Sequence, residues 1–155
     1  MKKLTLLSTT LLTSFLLLSA QACAAGDFGL GVIAGEPTGP CFKYWTGGNT
    51  AVDGAVAWSM SRNARMHLHA DYLFHNFTLI KVEKGRMPFY FGIGGRIRFA
   101  EGSADDHIGV RIPVGLAYIF DNSPFDIFFE VVPILDLAPD TDLDFNGAIG
   151  VRYFF

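Results

Sequence analysis

The sequence predicts an all-β fold, an eight-stranded antiparallel up-and-down β-barrel, and three observations lead to this prediction. Apolar and polar residues alternate with a period of two along several stretches, as they do in strands. Clusters of Gly, Pro, Asn and Asp separate these stretches. Beyond the first 25 residues, no stretch contains the about 18 consecutive apolar residues that a transmembrane helix needs.

Composition limits the class of protein. The 155 residues suit one domain, and 50% of them are hydrophobic whereas only 17% are charged. This balance excludes a disordered chain, which needs low hydrophobicity and high net charge. The net charge of −3 argues against a basic nucleic-acid-binding protein.

The N-terminal stretch resembles an export signal rather than part of the fold. Lys2 and Lys3 form a positive region, residues 4–19 are largely apolar, and Ala22-Cys23-Ala24 matches an A-x-A cleavage site. Together these features predict a secretory signal peptide.

We therefore divide the chain into a cleaved leader, residues 1–25, and a barrel domain, residues 26–155. A lipoprotein signal that lipidates Cys23 is the alternative for the leader. Cleavage after the A-x-A site leaves Cys41 as the lone cysteine, which cannot form an internal disulfide. We expect Cys41 to be a small buried or lipid-facing residue rather than a nucleophile.

Alternation is clearest in Arg65–His75, where every second residue is polar except Leu73 and the residues between them are apolar. The connection Asn76–Arg86 is long, and its run Thr78–Val82 is a candidate extension of the hairpin on either side. The faces of Phe125–Asp136 stay unassigned, because charged and apolar residues share one side. The predicted strands are Phe28–Gly35, Cys41–Thr46, Thr50–Ser59, Arg65–His75, Met87–Phe99, His107–Phe120, Phe125–Asp136 and Leu143–Phe155.

Two barrels fit this alternation. A soluble calyx that binds an apolar ligand turns its apolar face inward, whereas a transmembrane β-barrel turns it toward lipid. The apolar faces carry no charge, and the opposite faces combine a few charges with many Gly and Ala, which suits a narrow interior. One end of the predicted barrel also carries a girdle of aromatic residues: Phe28, Tyr44, Phe74, Phe89, Phe120, Phe125 and Phe155. These features favour the transmembrane barrel.

The C-terminus supports this orientation. Val151, Tyr153 and Phe155 share one face of the last strand, and Phe155 ends the chain. This pattern resembles the C-terminal signal that the barrel-assembly machinery reads in bacterial outer-membrane proteins. As a whole, residues 26–155 resemble the small eight-stranded outer-membrane barrels, namely the OmpA transmembrane domain and OmpX-like proteins. The resemblance implies a monomeric barrel in the outer membrane of a Gram-negative bacterium, with lipid rather than nucleic acid as its surroundings.

The polar residues predict a filled interior. Ten charged residues of both signs lie on the predicted inner face: Lys43, Asp53, Arg65, Asp71, Arg96, Arg98, Arg111, Asp126, Glu130 and Arg152. Charges removed from water need partners, and eight strands enclose an interior that side chains can fill. We therefore expect a network of paired charges rather than an open pore, and a structural or undefined interaction role.

Two further hypotheses concern His67 and His69, which share one strand face. With Asp71 and His75 nearby, they form a candidate zinc site. Alternatively, a histidine of this pair with a nearby Ser59 or Ser61 would suit an enzyme that modifies outer-membrane lipid. The spacing fixes no third ligand and no nucleophile, so we predict no catalytic residue, no cofactor and no metal.

One pair of substitutions tests the orientation of the faces. Ile112→Arg puts a charge on the apolar face and is expected to block membrane assembly. Gly115→Ala changes the opposite face and is expected to be tolerated better.

Overall fold

The computed structural model describes residues 26–58, 66–99 and 106–155. The leader with Cys23, and also Ser59, Ser61 and Arg65, lie outside these ranges. The described residues form nine strands: β1 Phe28–Gly35, β2 Gly39–Gly47, β3 Thr50–Trp58, β4 Met66–Asn76, β5 Phe89–Arg98, β6 His107–Arg111, β7 Val114–Ile119, β8 Phe125–Ala138 and β9 Asp142–Phe154. Within these ranges, no helix is long and apolar enough to cross a membrane.

The strands close into an antiparallel ring of eight positions. Apart from β6 and β7, each strand pairs with its sequence neighbour, and β9 pairs with β1 from Phe154 opposite Gly29 to Ala148 opposite Gly35. The β6 and β7 strands share one position, because both lie between β5 and β8. The predicted eight-stranded up-and-down barrel is confirmed.

Pro113 explains why one predicted strand, His107–Phe120, is divided into β6 and β7. A proline has no N–H to donate to a neighbouring strand. Its carbonyl still accepts a hydrogen bond from the Gly92 N–H at 2.9 Å, and the Ile112 N–H donates to the Pro133 carbonyl at 3.0 Å. Strands β6 and β7 therefore lie end to end at one position of the ring.

The faces have the predicted orientation. Along β4 every second side chain, from Met66 to Phe74, is exposed on the outer surface, and the residues between them are buried in the interior. Strand β8, which the sequence left unassigned, buries Asp126, Phe128, Glu130, Val132, Ile134 and Asp136. Charged groups therefore lie inside and apolar groups outside, which is opposite to a soluble calyx.

The interior also contains an apolar portion. Small and aromatic residues pack there between the charged groups: Ile33, Cys41, Ala55, Ala57, Leu73, Tyr90, Ala117, Phe128 and Ala148. Cys41 belongs to this set, so the buried alternative of the two predicted positions is the observed one.

The end of the barrel that holds Phe28 and Phe155, called the girdle end below, carries the predicted aromatic residues at the strand ends. The connection from β4 to β5 lies at this end, and Thr78–Val82 forms no strand there. Strand β4 ends because the Asn76 side-chain carbonyl accepts hydrogen bonds from the Thr78 N–H and the Leu79 N–H at 2.9 and 3.0 Å. The candidate extension of the hairpin is therefore wrong.

Candidate functional site in the barrel interior

Charged side chains of both signs line the interior in two groups. The central group contains Lys43, Asp53, Asp71, Arg111, Asp126, Glu130 and Arg152, all of which are buried. The second group lies near the opposite end from the girdle and contains Arg96, Arg98, Asp136 and Asp144. Each group combines positive and negative charges, and charged side chains that are buried away from water need such partners.

The best-formed pair joins the last two strands. Asp126 on β8 lies directly opposite Arg152 on β9. The guanidinium donates two hydrogen bonds to the carboxylate, at 2.9 and 3.0 Å, and its remaining nitrogen lies 3.5 Å from Asp53. The same guanidinium lies 3.9 Å from the centre of the Phe128 ring. Arg152 is therefore fixed on several sides by groups that favour its charge.

A second pair meets across an intervening glycine. Asp71 on β4 and Arg111 on β6 both lie opposite Gly94 on β5, in one row across three strands. The Arg111 Nε atom lies 3.0 and 3.1 Å from the two Asp71 oxygens, and Nη2 lies 3.6 Å from Glu130. A side chain at Gly94 would collide with the Asp71 carboxylate. The glycine is therefore what allows the two charges to reach each other.

The same arrangement occurs twice more. Arg96 and Asp136 meet over Gly109, with guanidinium–carboxylate hydrogen bonds of 2.6 and 3.0 Å. In the third case, the Tyr90 hydroxyl donates to Glu130 at 3.1 Å across a glycine of β7. We call these three arrangements glycine-bridged pairs.

Gly115 is the glycine that separates Tyr90 from Glu130. A methyl group there would press on the Tyr90 ring and on the Phe129 carbonyl oxygen. The expectation that Gly115→Ala is tolerated better than Ile112→Arg stays a prediction, and the crowding at Gly115 means that the methyl group has a cost of its own.

Lys43 has an uncommon neighbour. Its Nζ atom lies 2.7 Å from Nε2 of His75, and Nδ1 of the same ring lies 3.3 Å from the Asn49 carbonyl oxygen. A carbonyl oxygen only accepts hydrogen bonds, so Nδ1 carries the proton and Nε2 accepts from the ammonium group. The ammonium also lies 4.3 Å from the centre of the Trp45 ring. Lys43 is thus held by a neutral imidazole and an aromatic face on the side of the central group nearer the girdle end.

The group near the opposite end is a shared network. Asp136 accepts from Arg96 and also from Arg98 at 3.0 Å, and Asp144 accepts from Arg96 at 2.9 Å. His107 lies 3.6 Å from Asp136. Arg98 and Asp144 are partly exposed, so this network faces the mouth of the barrel.

The candidate zinc site is not assembled in the described part of the chain. The rings of His67 and His69 lie 5.3 Å apart, but Asp71 is held by Arg111 and His75 by Lys43. No three His, Cys, Asp or Glu residues among the described ranges form a group that could hold a metal ion. The enzyme hypothesis needed Ser59 or Ser61, which lie outside those ranges. The predictions of no catalytic residue and no cofactor stay predictions.

Sequence reasoning found most of the network and missed part of it. Nine of the ten predicted inner charges face the interior, and Arg65 lies outside the described residues. The missed members are Tyr90, Asp136 and Asp144, whereas His75 was named only as a neighbour of the candidate zinc site. The inward positions of Tyr90 and Asp144 in the alternation of β5 and β9 were the available signal, whereas the alternation of β8 left the face of Asp136 unassigned.

Comparisons with known proteins show which fold the chain shares. No family model matches the chain, and no curated protein matches it. Its structure is similar to that of a solved β-barrel domain. It matches the crystal structure of the N-terminal β-barrel domain of Pseudomonas aeruginosa OprF with a TM-score of 0.61. The match covers 85% of this chain and 100% of that domain at 12% sequence identity, so it shows a shared fold.

Proposed function

We propose that this chain is an integral β-barrel protein of a bacterial outer membrane with a structural or interaction role. In this proposal paired charges fill the interior, which is not an open pore. One observation carries the proposal: apolar side chains cover the outer surface while charged side chains are buried inside. This arrangement is stable in lipid and unfavourable in water.

The outer surface supports the membrane setting. Every outward position of the described strands is uncharged, and many hold large apolar side chains. An arginine or lysine at the midplane of such a face costs about 2–4 kcal/mol in a bilayer, so charges are expected to be absent there. A soluble barrel would instead need polar groups on this surface.

The burial of the interior side chains supports the proposal that the lumen is filled. Lys43, Arg111 and Asp126 are 0% exposed, although they lie inside a barrel with two ends. Eight strands enclose a space about as wide as their own side chains, and the ion pairs and the apolar cluster occupy it. These contacts favour a closed barrel over a diffusion pore.

The two tryptophans beyond the leader allow a matched test of the membrane setting. Trp58 is half-exposed on the outer surface, whereas the Trp45 ring lies 4.5 Å from the buried His75 ring. In vesicles with acyl-brominated lipids, the Trp45→Phe variant, which keeps Trp58, should be quenched strongly. The Trp58→Phe variant should be quenched much less. Equal quenching, or recovery of the protein in the soluble periplasm, would contradict the proposal.

Conductance tests the filled lumen separately. The purified protein in planar bilayers is expected to show no steady ion current. A variant that removes two interior side chains, Arg152→Ala with Tyr90→Ala, is the matched control and should show a current if the barrel is intact. A steady current through the unmodified protein would contradict a filled lumen. It would not contradict the proposal that the barrel lies in a membrane.

Assembly in the membrane implies a partner during biogenesis. We propose that the barrel-assembly machinery recognises Val151, Tyr153 and Phe155 at the C-terminus. The rings of Tyr153 and Phe155 lie 5.0 Å apart on the outer surface, and Tyr153 also contacts Phe125 at 5.1 Å. These aromatic groups are accessible to a partner from outside the barrel.

A further inference from the structure

We propose that residues 77–88, called the basic loop, are a docking surface for anionic phospholipid headgroups at the girdle end. The proposal rests on the proposed function, because it requires the barrel to lie in a membrane. The loop is the connection between β4 and β5.

The basic loop has a fixed conformation. Its first turn is held by the Asn76 side chain, and near its end the Gly85 N–H donates to Asp121 at 2.6 Å. Arg86 and Ile119 exchange two backbone hydrogen bonds of 2.9 and 2.8 Å. A surface that is already ordered loses little conformational entropy when it binds a ligand.

The loop contacts the outer surface of the barrel. Tyr118 lies on the outward side of β7, and its hydroxyl donates to the Lys84 carbonyl at 2.9 Å. The Tyr118 ring lies 4.8 Å from that of Phe120, a member of the aromatic girdle. Lys84 and Gly85 are therefore next to the girdle, at the level where a membrane meets water.

The exposed side chains of the loop combine positive charge with apolar surface. Lys81 and Lys84 are exposed, and neither forms an ion pair with a residue of the described ranges. Leu79 is 65% exposed and Val82 is also exposed. Glu83 is the one acidic residue among them. Ammonium groups beside exposed aliphatic groups fit a phospholipid surface, where phosphates lie above the acyl chains.

A phospholipid fits this surface better than a polyanionic glycan such as peptidoglycan. A glycan would bind Lys81 and Lys84 but would leave Leu79 and Val82 in a polar environment. The loop also lies beside the aromatic girdle, and aromatic side chains of membrane proteins concentrate at the membrane–water interface. Both observations favour lipid.

The test uses a tryptophan reporter in the loop. Leu79→Trp is introduced into a chain that carries Trp45→Phe and Trp58→Phe, and the protein is reconstituted in phosphatidylcholine vesicles. Quenching is compared between brominated phosphatidylglycerol and brominated phosphatidylcholine at equal mole fraction. We expect phosphatidylglycerol to be preferred at this site by at least about fivefold at low salt, since each basic side chain near an anionic surface contributes about that factor.

Two charge variants make the test specific. Lys81→Gln with Lys84→Gln is expected to abolish the preference, whereas Glu83→Gln, which changes the same loop in the opposite sense, should keep it. A preference that survives the double lysine variant overturns the proposal, as does a reporter that no lipid quenches. If Trp58 is also unquenched in the Trp45→Phe variant, the proposed membrane setting fails instead.

Lysine acylation of the unmodified protein gives an independent measurement. Lys81 and Lys84 should react several-fold more slowly in vesicles with phosphatidylglycerol than in phosphatidylcholine alone, while buried Lys43 stays unreactive in both. Equal reaction rates overturn the proposal. Loss of binding to peptidoglycan sacculi in the double lysine variant, with no difference in lipid preference, would identify the glycan as the ligand and also overturn it.

Discussion

Asp126→Asn tests whether the interior ion pairs are isolated from water. The substitution keeps the shape of the side chain and removes its charge, so Asp53, at 3.5 Å, is the carboxylate that remains beside Arg152. The side chains of the pair are at most 1% exposed and make two hydrogen bonds. The expected loss of unfolding free energy is therefore the one that applies to a buried ion pair. Removal of one partner of such a pair costs about 3–5 kcal/mol of unfolding free energy.

Urea unfolding of the reconstituted barrel, followed by tryptophan fluorescence, measures this loss. Asp144→Asn is the matched control, because Asp144 also binds an arginine but its side chain is 36% exposed. A pair of this exposure contributes about 1 kcal/mol or less. The double variant Asp126→Leu with Arg152→Met should recover much of the stability. If Asp126→Asn and Asp144→Asn have the same small effect, water screens the interior and the reasoning is refuted.

Three further predictions concern the outer surface, the interior and assembly. Ile112→Arg, midway along the barrel wall, should destabilise the barrel in vesicles by about 2–4 kcal/mol, whereas Leu143→Arg near the rim should cost about 0–1 kcal/mol; equal costs in urea titrations would contradict the lipid-facing assignment. Cys41, which is 6% exposed, should resist maleimide in the folded barrel and react after unfolding in urea, as mass spectrometry can show. Phe155→Ala should reduce the amount of barrel assembled in cells but leave refolding of the purified chain into vesicles unchanged; an equal loss in both would mean that the residue acts on stability alone.

The strands and their faces could be predicted where one side is polar and the other apolar. In β4, His67, His69 and Asp71 alternate with apolar residues, and the burial follows this pattern along the whole strand. In β8, Val132 and Ile134 lie on the same inward side as the acidic residues, so hydrophobicity does not distinguish the faces. The faces of β8 are assigned only when the ring closes, because its neighbouring strands then fix which side of β8 points inward.

The pairing of the charges could not be predicted from alternation. Alternation gives the direction of a side chain but not its height along the barrel, which depends on the register between strands. Arg111 reaches Asp71 because Gly94 lies at the same height between them. The long β4–β5 connection was misjudged for a related reason: its apolar run suggested a strand, but the Asn76 side chain ends the ladder.

The glycine-bridged pairs connect strands that are not neighbours in the sheet. Arg111 and Asp71 can meet only when the intervening strand presents Gly94 between them. A shift of β5 by one residue would turn the Ile93 side chain inward and reverse the faces of the whole strand, because side chains alternate with a period of two. The pairs therefore act as a check on alignment: the three pairs between β4 and β8 form together only when the strands between their members have reached their native positions.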